Sequence, residues 1–154
     1  MQKNHARMIV YGGLTIGMMV LIFCLSAQDA TESGNLSKWL LNTAFGQTLV
    51  RILPRLSENG EGADLRKYAH MGEYFLLAVF SFGFFREVTL ERIPRKAFLF
   101  SLTLNFLYAC TDEIHQLFVP GRAGRFTDVL VDTAGTLAAL LLLVLAAALR
   151  KERK

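Results

Sequence analysis

Four stretches of this chain are too long and too apolar to be surface helices of a soluble protein. Residues 8–25, 68–85, 97–118 and 129–149 each run for about 18 residues or more, the length at which an α-helix crosses the hydrocarbon core of a bilayer. The first carries no charged side chain and the last only Asp132, near its start. The middle two confine their charged groups to one end. A bilayer core offers no water to unpaired backbone groups, so stretches of this kind are helices. The expected fold class is all-α: a polytopic membrane protein, one domain over residues 1–154, built as a four-transmembrane-helix bundle. The grouping of the apolar residues into blocks, more than their 53 % total, argues against a soluble domain.

The first block follows Lys3 and Arg7, as the apolar part of a signal peptide would. It is long for that role, and Leu25 stands where a cleavage site wants a small residue, so a retained helix is expected. Gly13 and Gly17 within it form a small-xxx-small pair suited to close helix packing. Cys24 and Cys110 fall inside expected spans and make neither a disulfide framework nor a zinc motif; buried free thiols are expected.

The net charge of +4 is read as a topology signal and gives no reason to expect nucleic acid. Ten basic residues sit on three short segments: Lys3 and Arg7; Arg86, Arg92, Arg95 and Lys96; Arg150, Lys151, Arg153 and Lys154. The remaining seven are spread over longer sequence on the opposite side. Basic residues concentrate in short cytoplasmic segments, which places both termini in the cytoplasm and the 29–65 loop outside. Within that loop Trp39, Leu40, Leu49, Ile52 and Leu53 recur at helical spacing, which predicts an interfacial amphipathic helix, or two, ending near Pro54. Residues 57–64, with two glycines, are expected to be the most mobile piece, and Asp64 to cap the helix that follows.

Charge inside such sequence needs a partner or a purpose. Arg66, His70, Glu73 and Tyr74 share one face of the second span's outer end. In the third span Asn105, Tyr108, Asp112 and His115 or Gln116 follow a three-to-four spacing, with Glu113 turned about 100° away. Arg122 and Arg125 lie on the hairpin, and Asp128 and Asp132 open the fourth span. Alternating spans bring these ends to one surface, where the groups would converge.

Three arrangements fit such a cluster. His70, Glu73, Glu113 and His115 would hold a divalent metal, although their spacings are loose. Alternatively Arg66, Lys67, Arg122 and Arg125, helped by Gln28 and Gln116, would grasp the phosphate of a lipid or lipid-linked sugar. His70, Glu73, Asp112, Glu113 and His115 would then serve as acid–base groups, with Asp128, Asp132, Tyr74 and Tyr108 orienting them. In the third arrangement five carboxylates and four cations pair internally, and the cluster is structural.

Three pieces in order carry a resemblance: Ser26-Ala27-Gln28, then Arg66-Lys67-x-x-His70-x-x-Glu73-Tyr74, then Asp112-Glu113-Ile114-His115-Gln116-x-x-Val119-Pro120-Gly121-Arg122, continuing to Asp128 and Gly135. Together they cover nearly the whole chain, and the chain resembles the VanZ-like family of small bacterial membrane proteins. The family more commonly has Ser-Ser-Gln at the first piece, so Ala27 departs from it. The resemblance implies a multi-pass protein of the bacterial inner membrane and a role in the cell envelope. The family takes its name from a protein associated with low-level teicoplanin resistance, and the resemblance supplies no reaction. The expected function is an outer-leaflet pocket that binds, and with turnover modifies, a phosphorylated lipid or lipid-linked cell-wall precursor. The alternative is a non-enzymatic protein that binds envelope lipid or a partner helix. Oligomeric state is left open.

Overall fold

A computed structural model describes residues 4–56, 60–90 and 94–152. Among these residues the fold is all-α, with six helices and no strand. Helix α1 (His5–Ser26) starts where the Asn4 side chain accepts the Arg7 amide at 3.1 Å. Helix α2 (Ala30–Leu41) is capped by Asp29 and α3 (Ala44–Ile52) by Thr43. Leu53 is already extended, the conformation favoured for a residue before proline, and Pro54 follows. The 29–65 loop, expected to hold one or two helices, thus holds two. Three long helices complete the chain: α4 (Glu61–Thr89), α5 (Arg95–Gln116) and α6 (Phe126–Glu152).

The long helices run up and down. The backbone amide of Asn4, before α1, donates to Glu87 at the end of α4. At the other end Arg122, after α5, reaches the Leu25 carbonyl of α1 and the Gln28 carbonyl just beyond it. Helix α4 is the central element and packs against α1, α5 and α6, with α2 and α3 laid on its first turns. One buried cluster joins Met18, Ile22, Tyr74, Leu77, Ala109 and Val129; a second joins Ala78, Phe82, Ala97, Ala139 and Leu140.

Polarity is arranged inside out. Ser26, Ser81, Ser101, Asn105 and Thr136 are completely buried, while Ile9, Ile16, Leu107 and Leu142 are more than half exposed. Asn105 donates to Ser81 Oγ at 3.0 Å and to the Ser101 carbonyl at 2.7 Å, so a polar contact joins α5 to α4 within the bundle. Helices α1 and α6 are long and apolar enough to cross a membrane. Only 17 % of the apolar window of α1 and 33 % of that of α6 is buried within the protein, the reverse of a soluble core helix.

Several expectations need correction. Asp64 does not cap α4; the helix begins a turn earlier after Gly60 (φ 92°), and buried Asp64 accepts the Leu56 amide at 2.8 Å. Gly13 and Gly17 meet no other described helix of this chain, since a Cβ on either would have nothing within 4 Å. The close approaches are elsewhere: the Tyr11 ring covers Gly83, and Gly135 lies against the Met71 backbone. Cys24 is a free thiol but exposed, not buried; Cys110 is free and half-buried. The expected mobile stretch falls partly on residues 57–59, and Glu91 and Arg92 of the 86–96 loop on residues 91–93, outside the described residues.

Candidate functional site

The polar cluster lies where α1 and α5 end and α4 and α6 begin. Serine at the end of α1 and aspartate one turn before the end of α5 meet first: the Ser26 hydroxyl donates to Asp112 Oδ2 at 2.9 Å, and Gln116 Nε2 donates to the same oxygen at 3.2 Å. The hairpin folds back over this contact. Arg122 donates from Nε to the Gln28 carbonyl at 3.0 Å and from its terminal amine to the Leu25 carbonyl at 3.4 Å. It thereby pairs the Gln28 carbonyl just beyond α1 and adds a side-chain donor to the Leu25 carbonyl, which already accepts the Gln28 amide. Burial, with like charge from Arg66, pushes the Arg122 guanidinium below its ordinary pKa. It still remains a cation.

Glycine at position 124 permits the turn. A Cβ there would stand 2.3 Å from the Glu113 carbonyl oxygen. Glu113 is buried, and its carboxylate accepts the Arg125 amide at 2.7 Å. Lys67 on α4 pairs with Asp128 on α6 at 2.6 Å, which ties the two helix starts together. His70 Nδ1 and Glu73 Oε2 face each other at 3.5 Å without hydrogen-bond geometry, and neither buried atom has another partner.

Several of these side chains line a cavity of about 200 Å³. Arg66, Lys67 and His70 come from α4, Glu113 and Gln116 from α5, Arg122 and Arg125 from the hairpin, and Asp128 and Asp132 from α6. Asp132 is only 2 % exposed. Arg66 and the side chain of Arg125 make no hydrogen bond or salt bridge to another described residue. A smaller cavity of about 100 Å³ adjoins the first and shares Arg66, His70 and Arg122 with it. Gln28 and Glu73 line this second cavity.

Not every candidate reaches either cavity. Asp112 is committed to Ser26 and Gln116. His115 turns aside and stacks on Phe23, with ring centroids 4.5 Å apart, so Gln116 and not His115 continues the buried stripe of α5. The Tyr108 hydroxyl donates to the Met19 carbonyl, and Tyr74 is buried in the core beside it. The proposed metal quartet is accordingly split. Among the described residues no three His, Cys, Asp or Glu side chains are placed to hold a metal ion. Sequence reasoning missed Ser33, Ser37 and Leu40 of α2, which close the second cavity. Their helix was legible, but nothing in its spacing shows which neighbour it covers.

No curated protein and no solved structure matches the chain. The outward apolar helices and the family together make this a membrane protein. The VanZ/LLP1 family model matches residues 11–147, nearly the whole sequence, and the chain belongs to that family.

Proposed function

We propose that the larger cavity binds the phosphate group of a membrane lipid or lipid-linked cell-envelope precursor at the outer leaflet of a bacterial inner membrane. One observation carries this reading. The guanidinium groups of Arg66 and Arg125 line the cavity without a bonded carboxylate among the described residues, although the Arg125 backbone amide donates to Glu113. Guanidinium groups held beside a lipid-facing surface are suited to phosphate, which they meet with two parallel hydrogen bonds. His70, which lines both cavities, and Glu73, which lines the smaller one and faces His70 at 3.5 Å without hydrogen-bond geometry, would supply acid–base groups if the bound molecule is turned over.

The outer-leaflet assignment rests on four membrane crossings by α1, α4, α5 and α6 with both termini cytoplasmic. Helix α4 has 29 residues, about 44 Å at 1.5 Å per residue, so it exceeds a hydrocarbon core of about 30 Å and can hold its charged first turns at the interface. Ten basic residues on the opposite segments support the orientation. A part in glycopeptide resistance is the family's suggestion, and its readout is teicoplanin susceptibility of cells that express wild type or Arg66→Gln.

The second reading, a structural network without ligand, is favoured by the Lys67–Asp128 pair and the Ser26–Asp112–Gln116 bonds. It accounts for those residues and leaves Arg66 and Arg125 without a role. Native mass spectrometry of the purified protein separates the two. Wild type is expected to retain a phosphorus-containing lipid that Arg66→Gln and Arg125→Gln lose. The same lipid content in all three proteins would overturn the phosphate reading. Retention of lipid by His70→Ala with loss of any turnover would add chemistry to binding.

A further inference from the structure

The smaller cavity differs in chemistry from the larger one. Leu25 of α1, Leu40 of α2 and Leu65 and Ala69 of α4 form its walls. The Ser37 hydroxyl on its edge donates to the Ser33 carbonyl at 2.9 Å, so it is turned back into its own helix and away from any occupant. Helix α2 is held close at this point: a Cβ on Gly62 would lie 3.8 Å from the Ser37 side chain. The one carboxylate in the cavity, Glu73, has a buried unpartnered oxygen. The cavity's cations, Arg66 and Arg122, are the ones it shares with the larger cavity, so an anionic group belongs at that junction and an uncharged carbon chain beyond it.

Resting on the phosphate reading above, we infer that the smaller cavity receives the first carbon atoms attached to that phosphate. The ligand is then an alkyl or isoprenyl phosphate ester and not free phosphate. The shared residues Arg66, His70 and Arg122 stand at the junction, where phosphate passes into carbon chain. A cavity of about 100 Å³ has room for three or four groups of water size, at about 30 Å³ each. It therefore reads the leading carbons and not a whole chain.

The test uses the full-length protein in micelles of a phosphate-free maltoside detergent, titrated with inorganic phosphate and with monobutyl phosphate. Burial of three methylene groups raises affinity by about fifty-fold, so monobutyl phosphate is expected to bind at least tenfold tighter. Ser37→Leu, which fills the smaller cavity, should abolish that preference and leave inorganic phosphate binding unchanged. Ala69→Leu supplies the same plug from an exposed position on α4 should Ser37→Leu fail to fold. Arg66→Gln should weaken both probes. Equal affinity of wild type for the two probes, with phosphate still weakened by Arg66→Gln, would overturn the two-cavity assignment and leave the phosphate reading standing. Phosphate binding that Arg66→Gln does not alter would remove both.

Discussion

Ser26 and Asp112 lie 86 positions apart and are joined by a 2.9 Å hydrogen bond between the ends of α1 and α5. Both side chains are buried. Among the described residues Asp112 Oδ1 has no hydrogen-bond partner, so Oδ2 carries every hydrogen bond this carboxyl group makes there. Removal of one donor from a buried acceptor destabilises by on the order of 1–3 kcal/mol. Ser26→Ala is expected to lower thermal stability in detergent accordingly, while Ser26→Thr keeps most of it. An unchanged melting temperature for Ser26→Ala would show that the contact does not hold α1 to α5.

The contact also shows why the first and third motif pieces occur together. Ser26, Asp112 and Gln116 form one network, and Arg122 binds the carbonyls on either side of Ser26. That convergence was legible because alternating apolar spans must return their polar ends to one surface. The choice between His115 and Gln116 was not. Both lie three to four residues beyond Asp112, and helical periodicity alone does not tell which of two neighbouring faces meets α1 and which meets α6. Asp64 was misread for a related reason, since a capping residue type does not reveal that Gly60 has already turned the chain.

Glycine packing gives a second prediction. A Cβ on Gly135 would be 2.2 Å from the Met71 carbonyl oxygen, whereas one on Gly17 would meet nothing within 4 Å. Gly135→Ala must push α6 from α4, the pair that carries Asp128, Asp132, Lys67 and His70. Overpacking of this kind destabilises by about 1–3 kcal/mol, and phosphate affinity should fall with it. Gly17→Ala should be neutral or stabilising by up to about 1 kcal/mol, from helix propensity. Comparable losses in the two variants would mean that α4 and α6 are not in backbone contact at Gly135. The small-xxx-small spacing at Gly13 and Gly17 misled because spacing shows where a close approach is permitted, not where a partner helix stands.

The orientation of the bundle can be read with thiol chemistry. Cys24 is exposed and would react by itself, so the background is Cys24→Ser with Cys110→Ser. Ala123 on the hairpin and Arg95 at the start of α5 are both exposed and lie at opposite ends. In intact spheroplasts a membrane-impermeant maleimide is expected to label Ala123→Cys, and Arg95→Cys only after lysis. The reverse pattern would put the cavity on the cytoplasmic side and end the outer-leaflet proposal, whatever the cavity binds.

Asp29 supplies a pH prediction outside the bundle. Its Oδ1 accepts the Thr31 and Glu32 amides, each at 2.8 Å, at the start of α2. The Glu32 amide chiefly, with the Thr31 bonds and the more distant Arg122 charge, holds the carboxyl below its ordinary value of 3.8 against a smaller opposing effect of burial. Because the folded-state pKa is the lower one, the cap's contribution is fully present above the unfolded value and fades as pH falls through the folded value. Amide exchange across α2 should therefore accelerate as pH is lowered below about 4, beyond the intrinsic change in exchange chemistry. Asp29→Asn keeps an N-cap acceptor and should remove that added acceleration; Asp29→Ala should show fast exchange at every pH. Since α2 closes the smaller cavity through Leu40, the alanine variant should also lose the preference for monobutyl phosphate while it still binds inorganic phosphate. If α2 exchanges identically in all three proteins, the Asp29 cap does not hold this helix over the cavity.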